Sequence, residues 1–132
     1  AGIPVMGHVG LRPQSVHQLG GYRVQRDAEQ LLFDAKAVQQ AGAFSIVLEC
    51  VPAEVAEQVT DALDIPTIGI GAGPACDGQI LVVNDLLGLT LDHTPRHVRA
   101  YADLKGTILD AVARYREDVQ QGTFPGDEQT FR

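Results

Sequence analysis

Residues 43–49 read AFSIVLE and run into Cys50, Val51 and Pro52. The stretch has no Gly or Pro inside it and ends on a single carboxylate, Glu49. A strand with one wet face would alternate apolar and polar residues, so this near-continuous run predicts a strand buried on both faces. On its N-terminal side, Leu31, Leu32, Ala35, Val38 and Ala41 recur at helical spacing, with Asp27 as N-cap and Gly42 as a left-handed stop. On its C-terminal side, Pro52 stands where a first helical turn tolerates proline, and Val55, Ala56, Val59 and Leu63 line one face of a second helix. A continuous apolar strand between two helices predicts a parallel sheet of the α/β class.

The same alternation extends outward. IPVMGHV at 3–9 reads as a first strand, followed by a Gly-, Pro- and Ser-rich loop, GLRPQSVHQLGGYRVQ, at 10–25. IPTIGI at 65–70 reads as a third strand that passes into a glycine-dense loop, GAGPACDGQ at 71–79, and ILVVN at 80–84 as a fourth. Thr94 and Pro95 open a last helical stretch whose apolar positions run from Val98 and Tyr101 to Val119, with Gly106 as the expected break between two helices. Four strands are few for a doubly wound sheet and half the number in a (β/α)8 barrel, which takes ~250 residues.

Composition narrows the function classes. The 132 residues carry 10 Lys and Arg against 17 Asp and Glu, a formal charge of −7, which argues against nucleic acid or an anionic membrane as partner. Trp is absent and only seven residues are Phe or Tyr, leaving little to stack on bases. Cys50 and Cys76 form neither a disulfide framework nor a zinc spacing, as expected of reduced thiols in a cytoplasmic protein. No run approaches the ~20 apolar residues that span a bilayer. The chain opens on Ala1 and not on Met, two residues before an apolar run, which reads as a processed or a partial chain.

In a parallel α/β sheet the ligand-facing groups collect at the C-terminal ends of the strands. Those ends carry Gly7 and His8, then Glu49 and Cys50, then Gly69 to Gly73, then Asn84 and Asp85. An imidazole, a carboxylate and a glycine-rich backbone therefore arrive on one rim. A carboxylate that caps an apolar strand is partly desolvated, which makes it a better base, although a strand-end Glu can equally be paired with Lys or Arg from a nearby loop. His8 has two readings as well: satisfied by backbone carbonyls beneath the loop, or hydrogen-bonded to a substrate oxygen. GIGAG is a weak nucleotide fingerprint, because Pro74 stands where the phosphate-binding helix would begin and no acidic residue follows on a second strand. It is better read as a strand end that another backbone or a ligand approaches closely. Asp77 and Asp85 read as turn and cap residues, with metal binding as the lesser alternative.

Five motifs in one order, GHVGLxPQS at 7–15, LGGYRVQ at 19–25, DA…AGAFSIVLECVP at 34–52, IPTIGIGAGPxCDGQILV at 65–82 and FPxxE at 124–128, together resemble the C-terminal half of the ketopantoate hydroxymethyltransferase family. The resemblance implies a (β/α)8 TIM barrel of which residues 1–132 supply the C-terminal half, with βα units over 1–93 and C-terminal helices and tail over 94–132. It implies transfer of a one-carbon unit from 5,10-methylenetetrahydrofolate to 3-methyl-2-oxobutanoate (α-ketoisovalerate), forming ketopantoate for pantothenate and coenzyme A synthesis. By the same resemblance Glu49 is the proton acceptor, while His8 and Ile70 line the ketoacid pocket. Mg²⁺ is implied as cofactor, with its ligands in the N-terminal half and none in this chain. The partners implied are a small ketoacid, a folate and further copies of the chain, a decamer being the family's form. Arg12 replaces the family's Thr, and Gln129 stands in a His position. Two other readings use the same residues: a different enolate-forming lyase of the phosphoenolpyruvate/pyruvate barrel superfamily, and a non-catalytic half-barrel that serves assembly.

Overall fold

The computed structural model describes residues 2–15 (Ser15 by its backbone alone), 17, 21, 24–91 and 93–131. Of the LGGYRVQ motif, residues 19, 20, 22 and 23 lie outside the described residues. The chain forms two compact units, one reaching to Leu81 and the other starting at Val82.

The first unit is a parallel sheet of β1 (Met6–Gly10), β2 (Ser45–Glu49), β3 (Thr67–Ile70) and β4 (Gly78–Gln79), in that spatial order. Two helices cross between its strands, α1 (Ala28–Gln40) and α2 (Ala53–Asp61). Local chemistry accounts for their ends. The Asp27 carboxylate accepts from the Gln30 N–H at 3.0 Å, which satisfies one of the orphan donors at the start of α1. Gly42 follows the helix at φ 91°, and Pro52 caps α2 with its carbonyl accepting from the Ala56 N–H at 3.0 Å.

Strand periodicity sorts the side chains onto two faces. Val9, Ile46 and Leu48 point one way and pack with Leu31 and Ala35 of α1 and with Val55, Ala56 and Val59 of α2, forming a single apolar core. Both helices thus cover the same face of the sheet. Ile46, Leu48 and Val59 are the largest apolar side chains fully withdrawn from solvent.

The fourth strand differs from the expectation. It is Gly78–Gln79, in register with Ile68 and Gly69, and the run at 80–84 leaves the sheet after Ile80 N–H donates to the Gly69 carbonyl at 3.0 Å. Val83–Leu86 instead form a helical turn, α3, and Ile80, Val82 and Val83 remain about half exposed. A short apolar run does not distinguish strand from helix by periodicity. Here the register is set upstream, where the Asp77 carboxylate accepts from the Thr67 N–H at 2.8 Å and from its Oγ1 at 3.0 Å.

In the second unit, α4 (Leu104–Gln121) is one continuous helix. The expected break at Gly106 is absent, and Val98 and Tyr101 lie outside the helix. Gly106 sits in the first turn, where its N–H donates to Oδ1 of the N-cap Asp103 at 2.9 Å. The cost of a helical glycine is smallest at such a frayed end, and the cap offsets it. Gly122, at φ 70°, closes the helix.

Candidate functional site at the ends of strands β1 to β3

The parallel register aligns Gly10 with Glu49 and Glu49 with Ile70, and one step earlier His8 with Val47. His8, Glu49 and Ile70 therefore stand on the sheet face opposite the α1 and α2 core, at the C-terminal rim. His8 Nε2 lies 3.0 Å from Glu49 Oε2, at ion-pair distance but without the alignment of a hydrogen bond. The two side chains are 30% and 17% exposed, so the carboxylate is the more enclosed and both remain reachable. Ile70 is buried beside them and gives the rim an apolar wall.

Of the two sequence readings of Glu49, neither a Lys nor an Arg pairs with it among the described residues; its neighbour is the imidazole two positions along β1 from Gly10. His8 Nε2 in turn has no backbone carbonyl partner among the described residues. β1 does not end at His8, as its sequence suggested, but runs on to Gly10, so His8 is level with Val47 and reaches Glu49 along the same face of the sheet from the layer before.

The backbone around Glu49 is tied on both sides. Its carbonyl accepts from the Leu11 N–H at 2.8 Å, the Cys50 N–H donates to the Ile70 carbonyl at 2.9 Å, and the Cys50 carbonyl accepts from the Gln25 N–H at 3.0 Å. Cys50 adopts φ 50°, the sole left-handed non-glycine among the described residues. Gly10, at φ 90°, is packed so closely that a Cβ would overlap the Glu49 carbonyl oxygen and stand 2.9 Å from Val51 Cγ1. Neither constraint was read from the sequence; the signal available was a glycine at the end of the GHVG strand. The Cys50 thiol is pushed up from its usual pKa, by burial first and by the Glu49 carboxylate second, so it stays protonated at neutral pH.

The glycine-dense loop is close-packed, as its composition predicts. A Cβ on Gly69 would stand 3.0 Å from both Cys76 Sγ and Gln79 Nε2, and one on Gly73 would stand 2.5 Å from Ala53 Cβ. The Gln79 amide donates to the Gly73 carbonyl at 2.9 Å, holding the loop that follows Ile70. Asp77 and Asp85 serve as turn residues: Asp77 accepts from Thr67 and Asp85 from the Thr90 hydroxyl. A cavity of about 450 Å³ runs along the outer edge of β1, lined by His8, Arg12, Gln25, Asp27 and Asp34 among others, but reaches neither Glu49 nor Ile70. Among the described residues no three His, Cys, Asp or Glu side chains gather where they could hold a metal ion. No helix among them is long and apolar enough to cross a membrane.

Comparison with known proteins places this rim in context. The family model described as ketopantoate hydroxymethyltransferase matches residues 1–127. The chain is 56% identical over 134 residues to a 3-methyl-2-oxobutanoate hydroxymethyltransferase of Prosthecochloris aestuarii, covering 98% of this chain and 48% of that protein. It is 58% identical over 132 residues to the one of Trichlorobacter lovleyi (98% of this chain, 50% of that protein). With the one of Nitratidesulfovibrio vulgaris it shares 61% identity over 135 residues (99% and 44%). The chain spans about half the length of the curated relatives it matches.

Proposed function

The chain belongs to the ketopantoate hydroxymethyltransferase family, and from that premise we propose that it supplies the proton-abstracting rim of an enzyme that converts 3-methyl-2-oxobutanoate to ketopantoate. The observation that carries the reading is the placement of Glu49 at the end of β2, with His8 Nε2 3.0 Å from one carboxylate oxygen and Ile70 in register beside it. His8 steadies Oε2 and leaves Oε1 to take the proton from C3 of the ketoacid. Water cleaves the methylene carbon of 5,10-methylenetetrahydrofolate from both folate nitrogens, which take up its two protons, and the enolate carbon forms a C–C bond to the released one-carbon unit at the formaldehyde level, whose oxygen takes the proton held by Glu49 and becomes the product hydroxyl. Ile70 packs against the branched apolar end of the substrate and keeps bulk water from the carbanion.

The fold reading that goes with this chemistry is half of a (β/α)8 barrel. Four parallel strands in sequential order, with α1 and α2 on one face and His8, Glu49 and Ile70 on the other, support a barrel wall over a doubly wound sheet, which carries helices on both faces. Mg²⁺ does not fit the described residues: a hard divalent ion takes about six oxygen ligands, and Glu49 has only an imidazole beside it. Its ligands belong, in this reading, to the part of the family's length outside these residues. Neither cysteine forms a disulfide, which supports a cytoplasmic protein.

An assembly role for α4 rests on a separate observation. Ile108, Leu109, Val112, Tyr115 and Val119 form an exposed apolar row along the helix, which supports a homo-oligomer. The experiment that tests the function is methylene transfer by the full-length protein. Ketopantoate formed from 3-methyl-2-oxobutanoate only when the folate is present is the expected result. Ketoacid turnover with no folate-dependent product would assign a different enolate-forming lyase.

A further inference from the structure

We propose that Cys50 is a positioning residue for Glu49, acting through its left-handed backbone and the hydrogen bonds on either side of it rather than through its thiol. The inference rests on the reading of Glu49 as the base.

A strand that ended in ordinary extended geometry would carry its last residue onward in the plane of the sheet. At φ 50°, Cys50 turns the chain sharply out of β2 immediately after Glu49 and sends it through Val51 and Pro52 into α2. The turn is pinned at both peptide groups. The Cys50 N–H donates to the Ile70 carbonyl at 2.9 Å and its carbonyl accepts from the Gln25 N–H at 3.0 Å, while the preceding Glu49 carbonyl accepts from Leu11 at 2.8 Å. Leu11, which follows β1, and Ile70 of β3 thereby hold the Glu49–Cys50 peptide from both sides, immediately after the Glu49 side chain, which fixes where its carboxylate meets His8. Non-glycine residues adopt this conformation rarely, and it concentrates where the surrounding structure enforces it for function. The thiol itself has little nucleophilic character, since burial and the adjacent carboxylate keep it protonated.

The test is a substitution series at Cys50 in the full-length protein, graded by tolerance of positive φ. Cys50→Gly and Cys50→Asn accept the left-handed geometry and keep kcat within about threefold of the unsubstituted protein. Cys50→Val, β-branched and the least tolerant, lowers kcat by at least about tenfold with KM changed less than threefold, because a small misplacement of a catalytic group costs rate more than binding. Cys50→Ala falls between, and the Gly, Asn and Ala variants decide the matter if Cys50→Val does not fold. Gly and Asn variants as slow as Ala, with Cys50→Ser alone retaining activity, would overturn the proposal in favour of a thiol role. The His8 imidazole resonances, followed by NMR through the series, report the His8–Glu49 contact independently of turnover. If Glu49→Gln leaves C3 proton exchange intact, the base assignment fails; the positioning claim stands or falls separately, on whether the His8 signals move in Cys50→Ala and stay in Cys50→Gly.

Discussion

Gly10→Ala and Gly42→Ala pose the same backbone demand in two different surroundings. Both glycines are left-handed, at φ 90° and φ 91°. A methyl group on Gly42 would meet nothing within 4 Å, whereas on Gly10 it would overlap the Glu49 carbonyl oxygen and stand 2.9 Å from Val51 Cγ1. Forcing an L-residue into the left-handed region costs about 1–2 kcal/mol in either place. At Gly10, overpacking adds about 1–3 kcal/mol, and pushing the Glu49 carbonyl away from the Leu11 N–H forfeits a hydrogen bond worth about 0.5–1.5 kcal/mol. The expectation is a loss of about 2.5–6.5 kcal/mol for Gly10→Ala against about 1–2 for Gly42→Ala, out of a net stability of roughly 5–15 kcal/mol. Urea unfolding of both variants in the full-length protein measures the difference. C3 proton exchange measured alongside falls in Gly10→Ala, because the displaced carbonyl belongs to the base, and persists in Gly42→Ala. Equal destabilisation of the two variants would refute the claim that β1 is packed against the Glu49 peptide.

Two further outcomes follow from contacts elsewhere in the site and its support. Replacing His8 with Ala removes the group 3.0 Å from Glu49 Oε2, and kcat for proton exchange drops by about 10- to 100-fold while the protein stays folded; unchanged exchange would remove His8 from the machinery. Asp77 is held below the usual carboxylate range, chiefly by the Thr67 N–H and then by the Thr67 hydroxyl. A depressed folded-state pKa stabilises the protein above the unfolded value of about 3.9 and loses that contribution as pH falls through the lower, folded value. Unfolding curves between pH 2 and pH 5 should therefore show a decline below about pH 4 that Asp77→Asn flattens; an identical decline in the variant would contradict the assignment.

The legible parts of this fold were those in which one physical signal dominated. A continuous apolar run identified β2, a carboxylate before a helical period identified the Asp27 cap, and Gly42 marked the end of α1. The rim was legible for a topological reason: once the strands are parallel, His8, Glu49 and Ile70 must arrive at one end. What escaped the sequence was decided by competition between signals. ILVV at 80–83 is apolar enough for a strand, yet Asp77 locks the loop to Thr67 and lets β4 form two residues earlier, so the chain has left the sheet by Val82. Gly106 resembled a helix breaker because its role as hydrogen-bond donor to Asp103 depends on where the helix starts. The left-handed turn at Cys50 leaves no mark in composition, since cysteine has no preference for that geometry; only the hydrogen bonds from Ile70 and Gln25 account for it.

The central claim is that Glu49 removes the C3 proton of the ketoacid. Exchange of that proton of 3-methyl-2-oxobutanoate into D₂O, followed by NMR with full-length protein and no folate, isolates this step from one-carbon transfer. The account predicts rapid exchange with the unsubstituted protein and none above background with Glu49→Gln, whose amide keeps the shape at the end of β2 but cannot accept the proton. Exchange by Glu49→Gln at the unsubstituted rate would contradict it.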